Sequence, residues 1–382
     1  MRRNNMSFNK HDITRDAFML DGTFAFEGYD WWWHSFTGIS DTTGKEKQFF
    51  VEFFTCSPVL GGDEPVLGQD PENKRRHKRP SYLMVKAGCW GEGKRQLHRF
   101  FPWNKVRMTN SVPFMLYAGD CTVSETILKG SVHVTEEQAA DPAYMCDSGS
   151  MEWSLRLDKR VAFNVGYGAG KPFRDMKAFE MYWHAEGMKT LYSGYVVING
   201  ERFTVSPETS YGYADKNWGS GFTSPWVWLS SCSLTSLKTG KRLENSVFDI
   251  GGGCPKVFGV PLKRKLLSAF WYEGTPYEFN FSKFWTGTKT VFRSKETENE
   301  IFWYVMQETN TAVMTTRVRC RKKDMLLVNY EAPDGSKRHN RLWNGGNGTG
   351  LIRLYKKSPD GRRTLIDEIS ADRIGCEYGE YC

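Results

Sequence analysis

The chain has 382 residues, 15% of them aromatic, and its 52 basic and 44 acidic residues give a formal charge of +8. This length predicts two domains or one large all-β unit, with enough residues to bury a core. So small a charge excess predicts no nucleic-acid partner, and no stretch reaches the ~18 consecutive apolar residues of a membrane-spanning helix. At most a peripheral membrane contact is expected.

The cysteines and the first residues of the chain bear on its location. Nine cysteines are scattered without a Cys-x-x-Cys pair, and the first twenty residues contain no apolar run typical of a signal sequence. An odd number of scattered cysteines indicates reduced thiols. We therefore expect a cytoplasmic protein, and the sequence does not indicate its oligomeric state.

From Phe24 onward, the sequence predicts one strand after another. Runs rich in aromatic and β-branched residues are separated by Gly, Pro, Asn and Asp, and only 135–143 looks helical. Tight turns are predicted at Asn199-Gly200, Asp334-Gly335 and Asp360-Gly361. Roughly twenty candidate strands with short turns are typical of antiparallel sandwiches or barrels. The predicted fold class is therefore all-β.

A long polar segment between predicted strands, 57–80, ends in the basic run Lys74–Pro80, KRRHKRP. Loops of this length in a compact domain are usually lids or disordered. A basic run of this kind could bind nucleic acid or lipid headgroups, but a solvated loop is the favoured interpretation.

The stretch richest in candidate chemistry is 211–229, YGYADKNWGSGFTSPWVWL. An acid, a lysine and an amide stand together at 215–217, and the two glycines that follow predict a bend there. The alternation of tryptophans with apolar residues over Trp226–Leu229 predicts a strand. This segment is interpreted as a polar bend at the mouth of an aromatic-lined sheet.

Carboxyl groups close to tryptophans suggest a reaction. Glu27 and Asp30 flank Trp31–His34, and Asp215 precedes Trp218. A carboxyl surrounded by indole rings has a raised pKa and can act as a general acid near neutral pH. Indole faces also attract a developing cation and exclude water, which suits protonation of an alkene. The alternative is that the tryptophans form the core and that Asp215 only caps a turn.

Other kinds of site are not indicated. The glycine-rich run 166–172 departs from a phosphate-binding loop at both ends and has no predicted helix after it, so a glycine-rich turn is expected. The seven histidines have no metal-ligand spacing, and no Gly-x-Ser-x-Gly elbow occurs. We therefore expect neither a metal nor another cofactor.

The stretch 211–229 resembles the signature of the tocopherol cyclase family, which reads Tyr-Ser-Glu-Lys-Asn-Trp-Gly, Gly-Phe-Pro and then Trp-Phe-Trp. Asp215 replaces the family's Glu, and Thr223 stands where the family has Pro. The matching residues are Tyr213, Lys216, Asn217, Trp218, Gly219, Gly221, Phe222, Trp226 and Trp228.

The N-terminal run LDGTFAFEGYDWWWHSF is similar to a second motif of this family, Phe-Asp-Gly-Thr followed by Phe-Phe-Glu-Gly-Trp-Tyr. Asp21, Gly22 and Thr23 match directly. The acid that should follow is either Glu27, which keeps the Glu-Gly dipeptide, or Asp30, which keeps the aromatic context.

The resemblance implies two antiparallel lipocalin-like (calycin) β-barrels packed together, and residues 18–205 and 206–382 would form them. The fold is shared more distantly with carotenoid hydratases and some natural-product cyclases. Tocopherol cyclase protonates a prenyl double bond while a phenol oxygen closes a chroman ring, and it needs no redox cofactor.

The functional prediction is a cofactor-independent cyclase or isomerase that acts by acid–base catalysis on an apolar, unsaturated small molecule, such as a prenylated, polyene or plant-phenolic compound. Asp215 would be the acid. Lys216 and Asn217 would set its charge and hold a substrate oxygen, and Tyr213 could donate or relay a proton. A carotenoid hydratase-like hydro-lyase is the alternative reaction.

Further residues complete the predicted site. Asp30 or Glu27 is the second carboxyl candidate, and His34 and His184 are possible bases at pH 7. The cavity walls would be Trp32, Trp33, Trp218, Trp226 and Trp228. Two other functions stay open: a non-catalytic lipid or terpenoid carrier, and an interaction protein that has lost the site and acts through the basic run.

Overall fold

Strand-forming alternation continues through most of the chain. In Glu300–Glu308, for example, Ile301, Trp303 and Val305 are buried, while the residues between them stay partly exposed. The computed structural model describes residues 12–109, 113–164, 171–338 and 342–379, and these form two large antiparallel sheets. The predicted all-β fold is confirmed.

The first sheet is twelve-stranded, with the order β4-β3-β2-β1-β11-β10-β9-β8-β7-β6-β5, and β12 pairs with both β1 and β10. The sheet curls on itself and brings β4 next to β8. The Arg99 guanidinium of β4 donates a hydrogen bond to the Ser131 carbonyl of β8 at 3.0 Å. Its strands are β1 Tyr29–Ser40, β2 Glu46–Cys56, β3 Tyr82–Cys89, β4 Arg95–Phe101, β5 Val106–Thr109, β6 Met115–Ala118, β7 Cys121–Ser124, β8 Ile127–Val134, β9 Gly149–Phe163, β10 Met181–Ile198, β11 Glu201–Val205 and β12 Gly212–Gly219.

The second sheet is eleven-stranded, with the order β19-β18-β15-β13-β27-β26-β22-β21-β20; β14 pairs with β27 and β23 with β26. Two hairpins, β16–β17 and β24–β25, stand apart. These strands are β13 Trp226–Ser231, β14 Ser233–Ser236, β15 Val247–Gly253, β16 Lys256–Val257, β17 Val260–Pro261, β18 Lys265–Tyr272, β19 Thr275–Phe279, β20 Lys289–Glu296, β21 Glu300–Glu308, β22 Ala312–Arg321, β23 Leu326–Leu327, β24 Tyr330–Glu331, β25 Lys337–Arg338, β26 Trp343–Lys357 and β27 Arg363–Gly379.

The predicted bend at 215–217 is wrong. These residues lie in the middle of β12, where Trp32 of β1 pairs with Lys216 on one side and His184 of β10 pairs with it on the other. Hydrogen bonding along both edges keeps this segment extended. The chain bends only afterwards, in the loop 220–225, and the predicted strand that follows is confirmed as β13.

Helices are short and mostly unpredicted. The helix predicted within 135–143 is confirmed, and a capping box formed by Thr135 and Gln138 starts it. The helices are α1 Phe24–Glu27, where a strand was predicted, α2 Pro71–Arg75, α3 Glu136–Ala140 and α4 Lys171–Asp175, with short 3₁₀ turns at Ile13–Arg15, Pro58–Leu60, Trp103–Lys105, Phe284–Thr286 and Lys322–Asp324. None of the helices in the described ranges has the length and apolar character to cross a bilayer.

The three predicted turns are confirmed, whereas the glycine-rich run is described only in part. Asn199 and Gly200, with φ of 47° and 84°, join β10 to β11 as predicted. Turns also occur at Asp334-Gly335 and Asp360-Gly361. Of the run 166–172, residues 166–170 lie outside the described part of the chain. The expectation that no helix follows is wrong, because α4 begins at Lys171.

The division of the chain at residue 206 stays a prediction. Strand β12 still pairs within the first sheet, and the second sheet starts with β13, so the change of sheet falls between Gly219 and Trp226.

Each sheet encloses a hydrophobic core, and a third core lies between the two sheets. Trp32 and Trp153 belong to the core inside the first sheet. In the core between the sheets, Trp183 of β10 meets Trp226 of β13 edge to face, with ring centroids 6.4 Å apart. Strand β12 contributes to both interiors: Tyr213 belongs to the core between the sheets, and Lys216 lies over the Trp32 ring inside the first sheet.

Candidate active site

The two faces of β12 separate the residues of the predicted site. Side chains alternate along a strand, so Tyr213, Asp215 and Asn217 face the second sheet. Lys216 and Trp218 face the interior of the first sheet, where the Lys216 ammonium lies 3.8 Å from the centre of the Trp32 ring. The structure therefore does not bring Lys216 to Asp215, although it brings Tyr213 and Asn217 to the same face.

The Asp215 carboxyl is buried between the sheets, and its two oxygens differ in their hydrogen bonding. Its Oδ2 accepts hydrogen bonds from Trp183 Nε1 at 2.9 Å and Tyr213 Oη at 3.1 Å. Its Oδ1 has no hydrogen-bond partner among the described residues. Burial raises the pKa of Asp215 to about 7, although both donors favour the ionised form. A carboxyl with this pKa can both give and take a proton near neutral pH.

A small cavity of about 20 Å³ adjoins this carboxyl. A cavity of this volume holds about one water molecule. Burial also raises the pKa of Glu377, which lines the cavity, to about 7. The lining residues are Trp31, Trp33, Asp215, Asn217, Trp226, Trp228, Tyr330, Asn344 and Glu377.

A second buried acid connects to Asp215 through Tyr213. The Tyr213 hydroxyl lies 3.3 Å from Asp249 Oδ2, and Trp228 Nε1 donates to Asp249 Oδ1 at 3.1 Å. Burial and the neighbouring Asp215 raise the pKa of Asp249 well above its ordinary value. A phenol has only one proton to donate, so it bridges both carboxyls only if one of them is protonated. Asp249, Tyr213 and Asp215 thus form a continuous path for a proton.

Five aromatic rings, which we call the aromatic cluster, pack beside the cavity. They are those of Tyr29, Trp31, Phe54, Phe222 and Tyr330, and the Tyr29 and Phe222 centroids are 4.6 Å apart. Trp31 and Tyr330 stack at 5.5 Å. Phe222 belongs to the loop 220–225, so strands β1, β2 and β24 and one loop together cover the cavity.

Asp30 pairs with Lys216 inside the first sheet. The two side chains form an ion pair, and both are fully buried. Burial raises the pKa of Asp30 to about 6, against the attraction of the Lys216 ammonium. The second-carboxyl candidate Asp30 is therefore on the opposite side of the sheet from Asp215.

A group of carboxyls inside the first sheet has the spacing of a metal site but contains a lysine. Oxygens of Asp16, Glu125 and Glu186 lie within 4.8 Å of one another. The Lys159 ammonium lies among them, at 3.5, 2.7 and 2.8 Å respectively. The lysine supplies the positive charge that these carboxylates require.

Both predicted histidine bases are buried inside the first sheet, away from Asp215. His34 Nδ1 lies 2.9 Å from the Tyr192 hydroxyl, and burial lowers the pKa of His34 to about 3. His184 Nε2 lies 3.5 Å from an Asp16 oxygen. Because the pKa of His34 is so low, its ring is neutral at pH 7.

Of the remaining predicted residues, some line the Asp215 cavity and others lie inside the first sheet or at the surface. Trp33, Trp226 and Trp228 line the Asp215 cavity. Trp32 and Trp218 do not, because their positions in β1 and β12 face the first interior, where Trp32 stacks on Phe114 and Trp218 on Tyr182. Glu27 ends α1 at the surface, 3.7 Å from Arg79, and does not reach the site.

The sequence analysis missed several residues of the site, chiefly Trp183, Asp249 and Glu377. Asp249 and Glu377 are single acids within otherwise apolar strand segments, Val-Phe-Asp-Ile and Cys-Glu-Tyr. A lone charged residue in a buried strand needs a specific environment. That signal could have been used for both acids.

Replacing Trp183 with Phe is expected to raise the pKa of Asp215 by about one unit, because it removes a donor that stabilises the ionised carboxylate. Infrared difference spectra recorded across pH would follow the carboxyl band. Trp33→Phe is the control, since it removes an indole from the same cavity wall but no hydrogen bond to Asp215. A pKa that falls in Trp183→Phe would contradict this assignment.

No protein-family model matches the chain. A rice protein named "Probable tocopherol cyclase, chloroplastic" (Oryza sativa subsp. japonica) is 33% identical over 125 residues, which are 32% of this chain and 23% of the rice protein. A maize protein named "Tocopherol cyclase, chloroplastic" (Zea mays) is 32% identical over 136 residues, 36% of this chain and 26% of its own length.

Among solved structures, kievitone hydratase from Nectria haematococca aligns with a TM-score of 0.41 and 10% identity over 98% of this chain and 96% of its own.

The sequence matches span about a quarter of the rice and maize proteins. Over about a third of its length the chain is thus similar to tocopherol cyclases, and the resemblance seen in the motifs is confirmed.

Proposed function

We propose that the protein is a cofactor-independent acid–base enzyme, a cyclase or isomerase that protonates a double bond of an apolar, unsaturated small molecule. The observation that carries this proposal is the Asp215 carboxyl. It is buried among tryptophans and has a pKa of about 7, and one of its oxygens, beside a cavity, has no hydrogen-bond partner in the part of the chain that the structure describes. The similarity to proteins named tocopherol cyclase supports a prenylated substrate.

The reaction would begin with transfer of the Asp215 proton to one alkene carbon, which leaves a cation at the other carbon and a carboxylate at Asp215. The faces of Trp33, Trp226 and Trp228 would stabilise that cation and exclude water from it. In a cyclisation, an oxygen of the substrate then attacks the cation and returns its proton to Asp215. No atom is gained or lost, and Asp249 with Tyr213 would keep the acid protonated.

A prenylated substrate requires more room than the cavity offers. The cavity volume of about 20 Å³ fits a water molecule, whereas small-molecule sites usually enclose roughly 300–1,000 Å³. Phe222 is the only ring of the aromatic cluster that a loop carries, since the other four belong to strands. The proposal therefore includes movement of the loop 220–225 when substrate binds.

Hydration is the second candidate, and the size of the cavity favours it. A water molecule beside Asp215 would also contact the wall that contains Glu377, whose pKa is about 7. Glu377 could take a proton from that water while Asp215 protonates the alkene. The product would then gain the mass of one water.

The test is incubation of the protein in deuterated water with prenylated phenols, polyenes and plant phenolics, followed by mass spectrometry. Cyclisation or isomerisation predicts products of unchanged composition with one new carbon-bound deuterium. Hydration predicts an additional oxygen, which labelled water would identify. Asp215→Asn should form no product, whereas Glu27→Gln, which changes a surface acid, should behave as wild type.

Other outcomes would reject the proposal. A ligand that copurifies or binds without conversion by wild type would indicate a carrier. Equal turnover by wild type and Asp215→Asn would place the reaction at another group.

The cytoplasmic location expected from the sequence remains a prediction, and the two plant relatives are named as chloroplastic.

A further inference from the structure

Four large apolar side chains project together from the surface, and we call them the apolar knob. They are Phe173 and Met176 at α4 and Phe258 and Val260 at the hairpin β16–β17, with 46%, 55%, 64% and 62% of their surface exposed. The two segments are joined, because the Phe258 N–H donates to the Ala178 carbonyl at 2.7 Å. Single exposed apolar residues are common, but a cluster marks a binding surface.

Phe258 occupies a costly position in the hairpin. Its φ is 49° and that of Gly259 is 78°, the left-handed pair of a two-residue hairpin turn. Asn, Asp and Gly are favoured at these positions, and a bulky residue is strained there. The Phe258 ring is mostly exposed, so packing within the chain does not explain it. Strain kept at an exposed aromatic residue suggests a function outside the fold.

Basic residues are frequent in the two chain segments that carry the knob. Segments 171–179 and 256–265 contain seven Lys or Arg residues and one Asp. Lys177 pairs with Asp21 and Lys256 with Glu180. Lys263 is exposed and has no ion pair within the described residues. Arg264 lies against the Phe292 ring at 4.4 Å and Lys265 against the Phe281 ring at 5.5 Å. An apolar tip beside these cations and Lys263 complements an anionic bilayer, whose headgroups attract Lys while its acyl chains accept Phe and Val.

The knob is linked to the loop that covers the Asp215 cavity. The N–H groups of Ser220 and Gly221 donate to the Glu180 carbonyl at 2.9 and 3.1 Å, and the Lys256 N–H donates to Glu180 Oε1 at 3.3 Å. Glu180 therefore holds both the hairpin and the loop 220–225. Phe222 of that loop belongs to the aromatic cluster, so the knob and the covered cavity are neighbours.

We infer that the apolar knob docks the protein on the surface of an anionic lipid bilayer, with the covering loop of the cavity beside the lipid. An apolar molecule dissolved in that bilayer would reach the site without crossing water. The inference rests on the surface and not on the proposed chemistry. Lipid binding and catalysis can therefore fail independently.

Sedimentation with vesicles of phosphatidylcholine, with and without phosphatidylglycerol, tests this inference. We expect wild type to bind the anionic vesicles and Phe258→Asn to bind about tenfold more weakly or worse, because it removes buried apolar area at the membrane. The same variant should keep or raise the melting temperature, since Asn suits the turn. Leu237→Asn is the control, because Leu237 is 53% exposed and its N–H donates to the Glu368 carbonyl of β27, outside the knob segments.

Several results would overturn the inference. These are absence of wild-type binding to anionic vesicles, equal binding by Phe258→Asn, or an equal loss in Leu237→Asn. Equally strong binding to pure phosphatidylcholine would overturn the role of the basic residues. The deuterium assay in detergent-free solution reports separately on the proposed reaction.

Discussion

Replacing Asp215 with Asn is expected to stabilise the fold at pH 8 while abolishing product formation. The pKa of Asp215 is raised from 3.8 to about 7, and one pKa unit corresponds to about 1.4 kcal/mol. The ionised carboxyl therefore costs the folded state up to about 4 kcal/mol above pH 7. Asn avoids this cost and can still accept from Trp183 and Tyr213. Loss of a general acid lowers the rate by about 10²–10⁴.

The sign of the pH dependence follows from proton binding. Between about pH 4 and pH 7 the folded state holds a proton on Asp215 that the unfolded state has released, so stability falls as pH rises through this window. Burial raises the pKa of Glu331 and Glu377 to about 7 as well, and they act in the same direction. Burial lowers the pKa of His34 to about 3 and lowers that of His98, so these two rings oppose the trend below about pH 6.5. The three carboxyls outweigh them, and wild type should be more stable at pH 5 than at pH 8.

Urea unfolding at pH 5 and pH 8 measures this effect. Asp215→Asn should show a smaller loss between the two pH values than wild type, while the control Glu27→Gln should show the same loss. A variant that is less stable than wild type at pH 8 would mean that the carboxylate is stabilised by its neighbours, and the assignment of Asp215 as a destabilised acid would be wrong. Stabilisation together with inactivation is the usual sign of a functional site.

The positions of many strands and turns could be predicted from the sequence, but not which side chains face the candidate site. Period-two patterns predicted β13 and the Asn199-Gly200 hairpin, because these signals are local. The residues 215–217 were interpreted as a bend because glycines follow them. Their extended form depends on pairing with β1 and β10, which are far away in the chain.

This error had consequences for the chemistry. In a bend, Asp215 and Lys216 could act together, whereas in a strand they must point to opposite faces. Asp249 and Glu377 reach Asp215 from the second sheet, and only the packing of one sheet on the other brings them together. The resemblance to the family motif therefore pointed to the acid proposed here, Asp215, but not to the groups that tune its pKa.

Replacing Lys216 with Met is expected to destabilise the fold by about 3–5 kcal/mol, because it leaves the fully buried Asp30 carboxylate without its partner. The loss should be smaller at pH 5 than at pH 8. Without the ammonium, the pKa of Asp30 rises further above about 6, so the carboxyl is neutral at the lower pH. Urea unfolding of the variant at both pH values measures this difference.

The double variant Lys216→Met with Asp30→Asn separates the cost of an unpaired charge from the loss of packing. Removing both charges should restore most of the stability, because replacing a whole buried ion pair by neutral groups is often close to neutral. Arg202→Met, which breaks an exposed pair with Asp41 at 3.3 Å, should cost at most about 1 kcal/mol. If the double variant were as unstable as Lys216→Met alone, the contact of the Lys216 ammonium with the Trp32 ring, and not its ion pair with Asp30, would hold this strand in place. Lys216 and Trp218 would then serve the interior of the first sheet, while Asp215 and Asn217 line the cavity on the other face.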